Sequence, residues 1–261
     1  MTVTEQSAGC VSDCVGFAYF DRIGDLYDLY RPADPHLTRR EIDVVLGASG
    51  TPEPGHAVDL MCGQGRHSLE LAGRGWQVTA ADRTPALLTL LAERAAAHGV
   101  TDRISTVQTD VYAGPLAASG ASLALLLGNS FGFGADRAAA LGLLREVASA
   151  LAPDGVLALE IFDSGRRTEL ARRGLAKQHA VPDGTLTKLF DWDPRAETEH
   201  VSVVIERSGT RARSCYRQYI PGAPQLIALA EEAGLRSETV LRGPDGWPSD
   251  DSTLFLWRRP T

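Results

Sequence analysis

The chain has 261 residues, enough for one large α/β domain or two small ones, and a chain of this size buries about 70–75% of its unfolded surface on folding. Apolar residues make up 44% and charged residues 23%, which excludes disordered and fibrous classes. The 33 acids exceed the 26 bases, for a formal charge of −7, and that balance argues against a nucleic-acid partner.

The longest apolar run, Leu123 to Leu127, is too short to cross a bilayer. The opening ten residues have neither a basic start nor a long apolar core, so a cytoplasmic protein without a membrane partner is expected. Cys10, Cys14, Cys62 and Cys215 form no C-x-x-C pair, and the six histidines form no H-E-x-x-H. Neither a metal site nor a disulfide framework is expected.

Residues 17–47 read as two helices. Phe17, Phe20, Ile23, Leu26, Tyr27 and Tyr30 recur at helical spacing before Pro32, and a second helix runs from near Pro35 to Gly47. From His56 the pattern alternates. His56–Leu60 reads as a strand, Arg66–Gly73 as a helix, Trp76–Ala81 as a strand closed by Asp82, and Thr84–His98 as a helix stopped by Gly99. Arg103–Gln108 ends at Asp110, Ser122–Leu127 precedes the loop GNSFGFG, and the helix Asp136–Leu151 leads through Pro153-Asp154-Gly155 to the strand Val156–Phe162. Such alternation implies right-handed βαβ units and a parallel sheet.

After Asp163 the pattern changes. Residues 164–183 are polar and helix-tolerant; Leu186–Trp192, Val201–Arg207 and Arg211–Ile220 read as antiparallel strands. A helix at Pro224–Ala233 and a strand pair at Leu235–Arg242 and Ser252–Arg258 close the chain. The whole reads as one domain, with a helical lid at 17–47, a core at 56–163, a β-insertion at 164–222 placed to cover a substrate, and a final unit at 223–261.

The chemistry-bearing residues gather at the strand ends. Asp59-Leu60-Met61-Cys62-Gly63-Gln64-Gly65 follows the first strand. Two glycines one residue apart allow a tight turn that brings backbone N–H groups to a ligand at a helix N-terminus. Asp82, closing the next strand, can accept from both ribose hydroxyls, and Asp110 can accept from an adenine amino group. Each acid alone is ordinary at a strand end; three in register point to a nucleoside-bearing ligand. A dinucleotide enzyme requires G-x-G-x-x-G, and here Ser68 stands at the third glycine's place. Asp59 has no role toward NAD, but it suits a ligand carrying a positively charged amino group.

VDLMCGQGRHSLELAGRGWQVTAAD resembles the cofactor segment of the class I S-adenosylmethionine-dependent methyltransferases, and TDVYAGPL and LREVASALAPDGVLALEIFD resemble segments further along that family. The resemblance covers 56–163 well and the last 40 residues loosely. It implies a Rossmann-like α/β fold with a seven-stranded sheet ending in the antiparallel pair. It also implies S-adenosyl-L-methionine as cofactor, with S-adenosyl-L-homocysteine as product. Gly63 and Gly65, with Asp59 and Cys62, would surround the methionine part, Asp82 the ribose, and Asp110 with Val111 the adenine, against which Arg83 would lie. Gly128, Asn129 and Ser130 would face the sulfonium, and the YFDRIGDLYDLY stretch resembles the family's N-terminal lid, adding Tyr27 to the cofactor set. Met61 departs from the pattern, since the family commonly has a small residue there.

The GNSF run resembles small-molecule N-methyltransferases, including those for glycine, sarcosine and amino sugars. It lacks the Asn/Asp-Pro-Pro-aromatic run of enzymes that act on base or glutamine amino groups, and Gly128 stands where catechol-type enzymes place a metal-binding acid. The expected activity is methyl transfer to a small-molecule acceptor, through nitrogen first and oxygen or carbon next. Tyr19, Tyr27, Tyr30, His200 and Tyr219 are the candidates for base or substrate contact. Two rivals remain open: an NAD(P)-dependent oxidoreductase, and a methyltransferase-like binding module or non-methylating catalyst. The sequence leaves the oligomeric state open between monomer and homodimer.

Overall fold

A computed structural model describes residues 33–51, 53–172, 176–243, 246–249 and 251–261. The first expected helix lies outside the described residues, and with it Tyr19, Tyr27, Tyr30, Cys10 and Cys14. The first described helix, α1, spans Pro35–Ser49. Asp34 starts it by accepting from the backbone N–H groups of His36 and Leu37, with Pro35 in the first turn. Gly47 stays helical; Gly50, at φ +66°, supplies the left-handed cap.

The alternating segment forms β1 (His56–Leu60), α2 (Arg66–Gly73), β2 (Gln77–Asp82), α3 (Pro85–Ala97), β3 (Ile104–Gln108), β4 (Ala121–Leu126), α4 (Arg137–Ala150) and β5 (Leu151–Phe162). Boundaries agree with the sequence to within a residue or two, except at β5. That strand already pairs at Leu151, and the Pro153-Asp154-Gly155 turn becomes an irregularity within it, with Asp154 at φ +61°.

α5 (Ser164–Arg172), β6 (Ala176–Val181), β7 (Gly184–Asp193), β8 (Thr198–Arg207) and β9 (Thr210–Tyr219) follow, then α6 (Ala223–Glu232), β10 (Arg236–Arg242) and β11 (Ser252–Arg258). The main sheet runs β10–β11–β5–β4–β1–β2–β3. β11 is antiparallel to both of its neighbours, whereas β1 to β5 pair in parallel. α1, α2 and α3 pack on one face through Ile42, Val45, Leu71 and Leu91. α4 and α6 cover the other through Leu144, Val147, Leu226 and Leu229.

The insertion is a separate sheet of order β6–β7–β8–β9. β6 is a correction: its polar AKQHAV run reads as helix-tolerant, yet it pairs along β7 as an exposed edge strand, where one neighbour suffices. β8 and β9 are joined at Ser208 and Gly209, both at positive φ, the type I′ geometry that suits hairpin twist. The insertion is stitched to the loop after β4. Tyr219 N–H donates to Gly132 O at 2.9 Å, and Gly134 N–H donates to Arg217 O at 2.8 Å. A Cβ on Gly132 would collide with the Tyr219 carbonyl, so this seam requires glycine.

The cysteines depart from the expected set without disulfides. Cys62 is free, but Cys215 is disulfide-bonded.

Candidate active site

The loop after β1 turns back on itself. Met61, Gly63 and Gly65 all have positive φ, and Gly65 N–H closes onto Cys62 O at 2.9 Å. Met61, the departure from the family pattern, takes φ +53° and packs partly buried against the central core. The two glycines do different work. A Cβ on Gly65 would overlap the Leu91 side chain, whereas a Cβ on Gly63 would meet nothing within 4 Å. Gly65 therefore serves α2–α3 packing, and Gly63 fronts open space.

Asp82 binds that loop from the neighbouring strand. One carboxylate oxygen accepts from Gly63 N–H and the other from Thr84 N–H, each at 2.8 Å. Burial pushes its carboxyl above the ordinary range, and those two backbone donors pull it partly back. Asp59, 1% exposed, lies beneath the loop and accepts from Ser68 Oγ at 2.6 Å. Its carboxyl is raised by burial against the pull of nearby His67 and Ser68. Burial also pushes the Cys62 thiol well up, helped by Asp59 and Asp82.

Asp110 follows β3. It accepts from Tyr112 N–H at 3.0 Å and pairs with Arg83 at 3.4 Å, while Val111 beside it is buried. The expected sites Gly63, Asp82, Arg83 and Asp110 thus line up across the ends of β1, β2 and β3. On the other side of β1, β4 delivers Gly128 and Asn129, both with positive φ, and Ser130, whose hydroxyl donates to Leu127 O at 2.9 Å.

His200 and Tyr219 do not join this group. Successive side chains of a strand point to opposite faces. Gln218 points at the β4 loop, its Nε2 donating to Asn129 O at 2.7 Å and Phe131 O at 2.8 Å. Tyr219 is next to Gln218, and His200 is paired with Arg217 across from it, so both side chains occupy the far face. The Tyr219 hydroxyl turns to Glu197 at 3.5 Å, and burial with that carboxylate pushes it up to about 12. His200 Nδ1 is buried without a partner among the described residues.

Four supporting residues escaped sequence reasoning. Glu41 of α1 accepts from both Arg66 and His67 at the start of α2. Burial alone would raise its carboxyl, but those two hydrogen bonds outweigh it and hold the group below its usual range. The Tyr112 hydroxyl accepts from Gly132 N–H at 2.6 Å, joining the β3 and β4 loops. Glu160 and Gln218 grip the β4 loop from either side. An isolated Glu41, Glu160 or Gln218 carries no motif; only the pattern of buried partners reveals them. Among the described residues, no group of His, Cys, Asp and Glu could hold a metal ion, and no helix is long and apolar enough to cross a membrane.

Residues 57–155 match the family model described as a methyltransferase domain. Residues 57–155 are therefore a methyltransferase domain of the S-adenosylmethionine-dependent kind. This methyltransferase is similar in structure to the CcbJ methyltransferase from Streptomyces caelestis, with a TM-score of 0.77 at 18% identity over 94% of this chain and 99% of that one. It also resembles S-adenosylmethionine-bound CalS10, an amino pentose methyltransferase from Micromonospora echinaspora, with a TM-score of 0.64 at 17% identity over 99% and 97%. The sugar N-methyltransferase KedS8 from a Streptoalloteichus species gives 0.70 at 18% identity over 91% and 92%. No curated protein sequence matches the methyltransferase.

Proposed function

We propose that this methyltransferase acts on nitrogen in a small, sugar-like or amino-acid-like acceptor. The observation that carries the reading is the placement of Asn129. It sits in the GNSF loop at the sheet's centre, 7% exposed, with its Oδ1 buried and without a hydrogen-bond partner among the described residues. A buried orphan acceptor costs about 1–3 kcal/mol, and a ligand bearing a donor would remove that cost. The kinship in fold with an amino pentose and a sugar N-methyltransferase supports the same acceptor class.

The residues present fit S-adenosylmethionine. Gly63 leaves room for the methionine part, Gly65 and Cys62 shape its turn, and Asp59 acts from beneath. Asp82 would accept from the ribose hydroxyls, since each of its oxygens keeps a lone pair after the backbone bond. Asp110, Val111 and Arg83 would hold the adenine. When bound, the cofactor would supply an electrophilic methyl group on its sulfonium, whose carbon bonds to the acceptor's lone pair as the C–S bond breaks and the sulfur leaves as a neutral thioether.

The protein's share is alignment and exclusion of water. Orientation alone can supply about 7–11 kcal/mol, so an amine that arrives deprotonated requires no strong base. That agrees with the absence of His200 and Tyr219 from the near face. Tyr19 and Tyr27 remain candidates for the acceptor side. The insertion is held to the β4 loop through Gln218 and would cover the acceptor. Its near face also carries the ion pair of Arg167 and Glu199 at 3.3 Å.

The test is incubation with methyl-labelled S-adenosylmethionine and a panel of amino sugars, amino acids, phenols and catechols. Label transferred to amines supports the reading; transfer only to hydroxyl or carbon acceptors sinks it.

A further inference from the structure

Glu160 ends up beneath the β4 loop, 3% exposed, and four donors converge on its carboxylate. They are Gly128 N–H at 2.7 Å, Asn129 Nδ2 at 3.1 Å, Trp247 Nε1 at 3.1 Å and Ser252 Oγ at 2.5 Å. Three of them meet on Oε1 and Gly128 N–H on Oε2, so the carboxylate is the common acceptor of the β4 loop and of the Trp247 and Ser252 side chains. The consequence falls on Asn129. Its NH2 is committed to Glu160, and its Oδ1 must face the other way.

Asn129 is the only asparagine in the 261 residues. It holds φ +59° directly after Gly128 at φ +72°, a left-handed conformation that asparagine adopts more readily than other residues with a Cβ. The buried oxygen without a partner among the described residues is what marks this position as held for function.

We propose that Glu160 is a positioning residue that fixes the sense of the Asn129 amide, so that Oδ1 is presented to an N–H at the methyl-transfer point. The inference rests on the reading of this site as a nitrogen methyltransferase centre. The sense matters because an amine has a lone pair and N–H bonds. An oxygen accepting from N–H leaves the lone pair free to attack. A forward-facing NH2 would donate to that lone pair and occupy the nucleophile. The acceptor class that follows is a primary or secondary amine, which keeps an N–H beside its lone pair.

Sinefungin tests this without knowledge of the acceptor. It is an S-adenosylhomocysteine analogue in which a CH–NH3+ group replaces the sulfur, so it brings an N–H donor to the transfer point. The wild-type protein should bind sinefungin at least about tenfold more tightly than S-adenosylhomocysteine, the effect of a charge-assisted hydrogen bond. Glu160→Gln, which lets the amide turn over, should abolish that preference and leave S-adenosylhomocysteine affinity within about twofold.

A preference that survives in Glu160→Gln overturns the inference, as does an equal loss for both ligands, which a merely structural role would give. Should Glu160→Gln not fold, the wild-type protein labelled with 15N-asparagine gives a single side-chain amide signal. Slow hydrogen exchange there, with a shift on adding sinefungin, supports the fixed sense; fast exchange overturns it. Failure of the wild-type protein to bind either ligand would instead sink the methyltransferase-site reading, whatever the amide does.

Discussion

Asp82 accepts a hydrogen bond from the backbone N–H of Gly63 at 2.8 Å, which ties the acid closing β2 to the glycine loop that follows β1. The same carboxylate shapes the loop and is the group proposed to accept from a ribose. Because burial raises its folded-state pKa above 3.8, Asp82 takes up a proton at a higher pH than an ordinary aspartate. Only the ionised form can accept from both backbone donors and ribose hydroxyls. Affinity for S-adenosylhomocysteine should therefore fall as pH drops through a midpoint above 3.8; calorimetry across acidic pH, at pH values where the fold persists, reads it directly.

Gly63 and Gly65 should respond oppositely to the same change. Gly65→Ala places a methyl against Leu91 at φ +76° and should destabilise the fold by about 1–3 kcal/mol. Gly63→Ala meets no neighbour and costs only about 1–2 kcal/mol of backbone strain, but it fills the space proposed for the cofactor. Loss of S-adenosylhomocysteine binding is expected for Gly63→Ala, with the urea midpoint lowered by no more than that backbone strain. If Gly63→Ala still binds normally, the cofactor does not lie against that loop face.

Glu41 joins α1 to the start of α2 through Arg66 and His67. Removing one partner of a buried ion pair costs about 3–5 kcal/mol, discounted here because Arg66 is partly exposed, so Glu41→Gln should lose about 3 kcal/mol near neutral pH. Its folded pKa lies below 4.5. The stabilisation is thus present above 4.5 and is lost as pH falls through the lowered value. Denaturant titrations of both proteins should converge at acidic pH; a constant gap would show that packing rather than charge holds the contact.

Asp59 has the opposite sign. Its folded pKa is raised above 3.8, so its contribution is full below 3.8 and declines as pH rises through the raised value. Asp59→Asn keeps an oxygen for Ser68 Oγ and removes the buried charge. The variant should unfold at a higher temperature than wild type near neutral pH, with the advantage vanishing in acid. Weaker S-adenosylmethionine binding alongside greater stability would show that the buried charge is retained for the ligand's ammonium group.

Much of this was legible in advance because helix and strand periodicity leave a strong trace. Arg66–Gly73 and Ser252–Arg258 appear where expected, and the acids at 59, 82 and 110 follow their strands. What escaped was of two kinds. β6 is an edge strand with an exposed polar pattern, so it lacks the apolar alternation that betrays a buried one. Glu41, Glu160 and Gln218 act through partners 25 to 92 residues away, a distance at which no spacing rule operates. His200 and Tyr219 stood out for their chemistry, but a strand's alternation assigned them to the far face, and residue type carries no such information.

The most direct measurement is isothermal titration of S-adenosylmethionine and NADH, separately, into the wild-type protein and Asp82→Ala. The account predicts one S-adenosylmethionine site per chain, affinity at least about tenfold weaker in Asp82→Ala through lost ribose hydrogen bonds, and no heat from NADH. Unchanged S-adenosylmethionine affinity in Asp82→Ala, or saturable binding of NADH in its place, would contradict it.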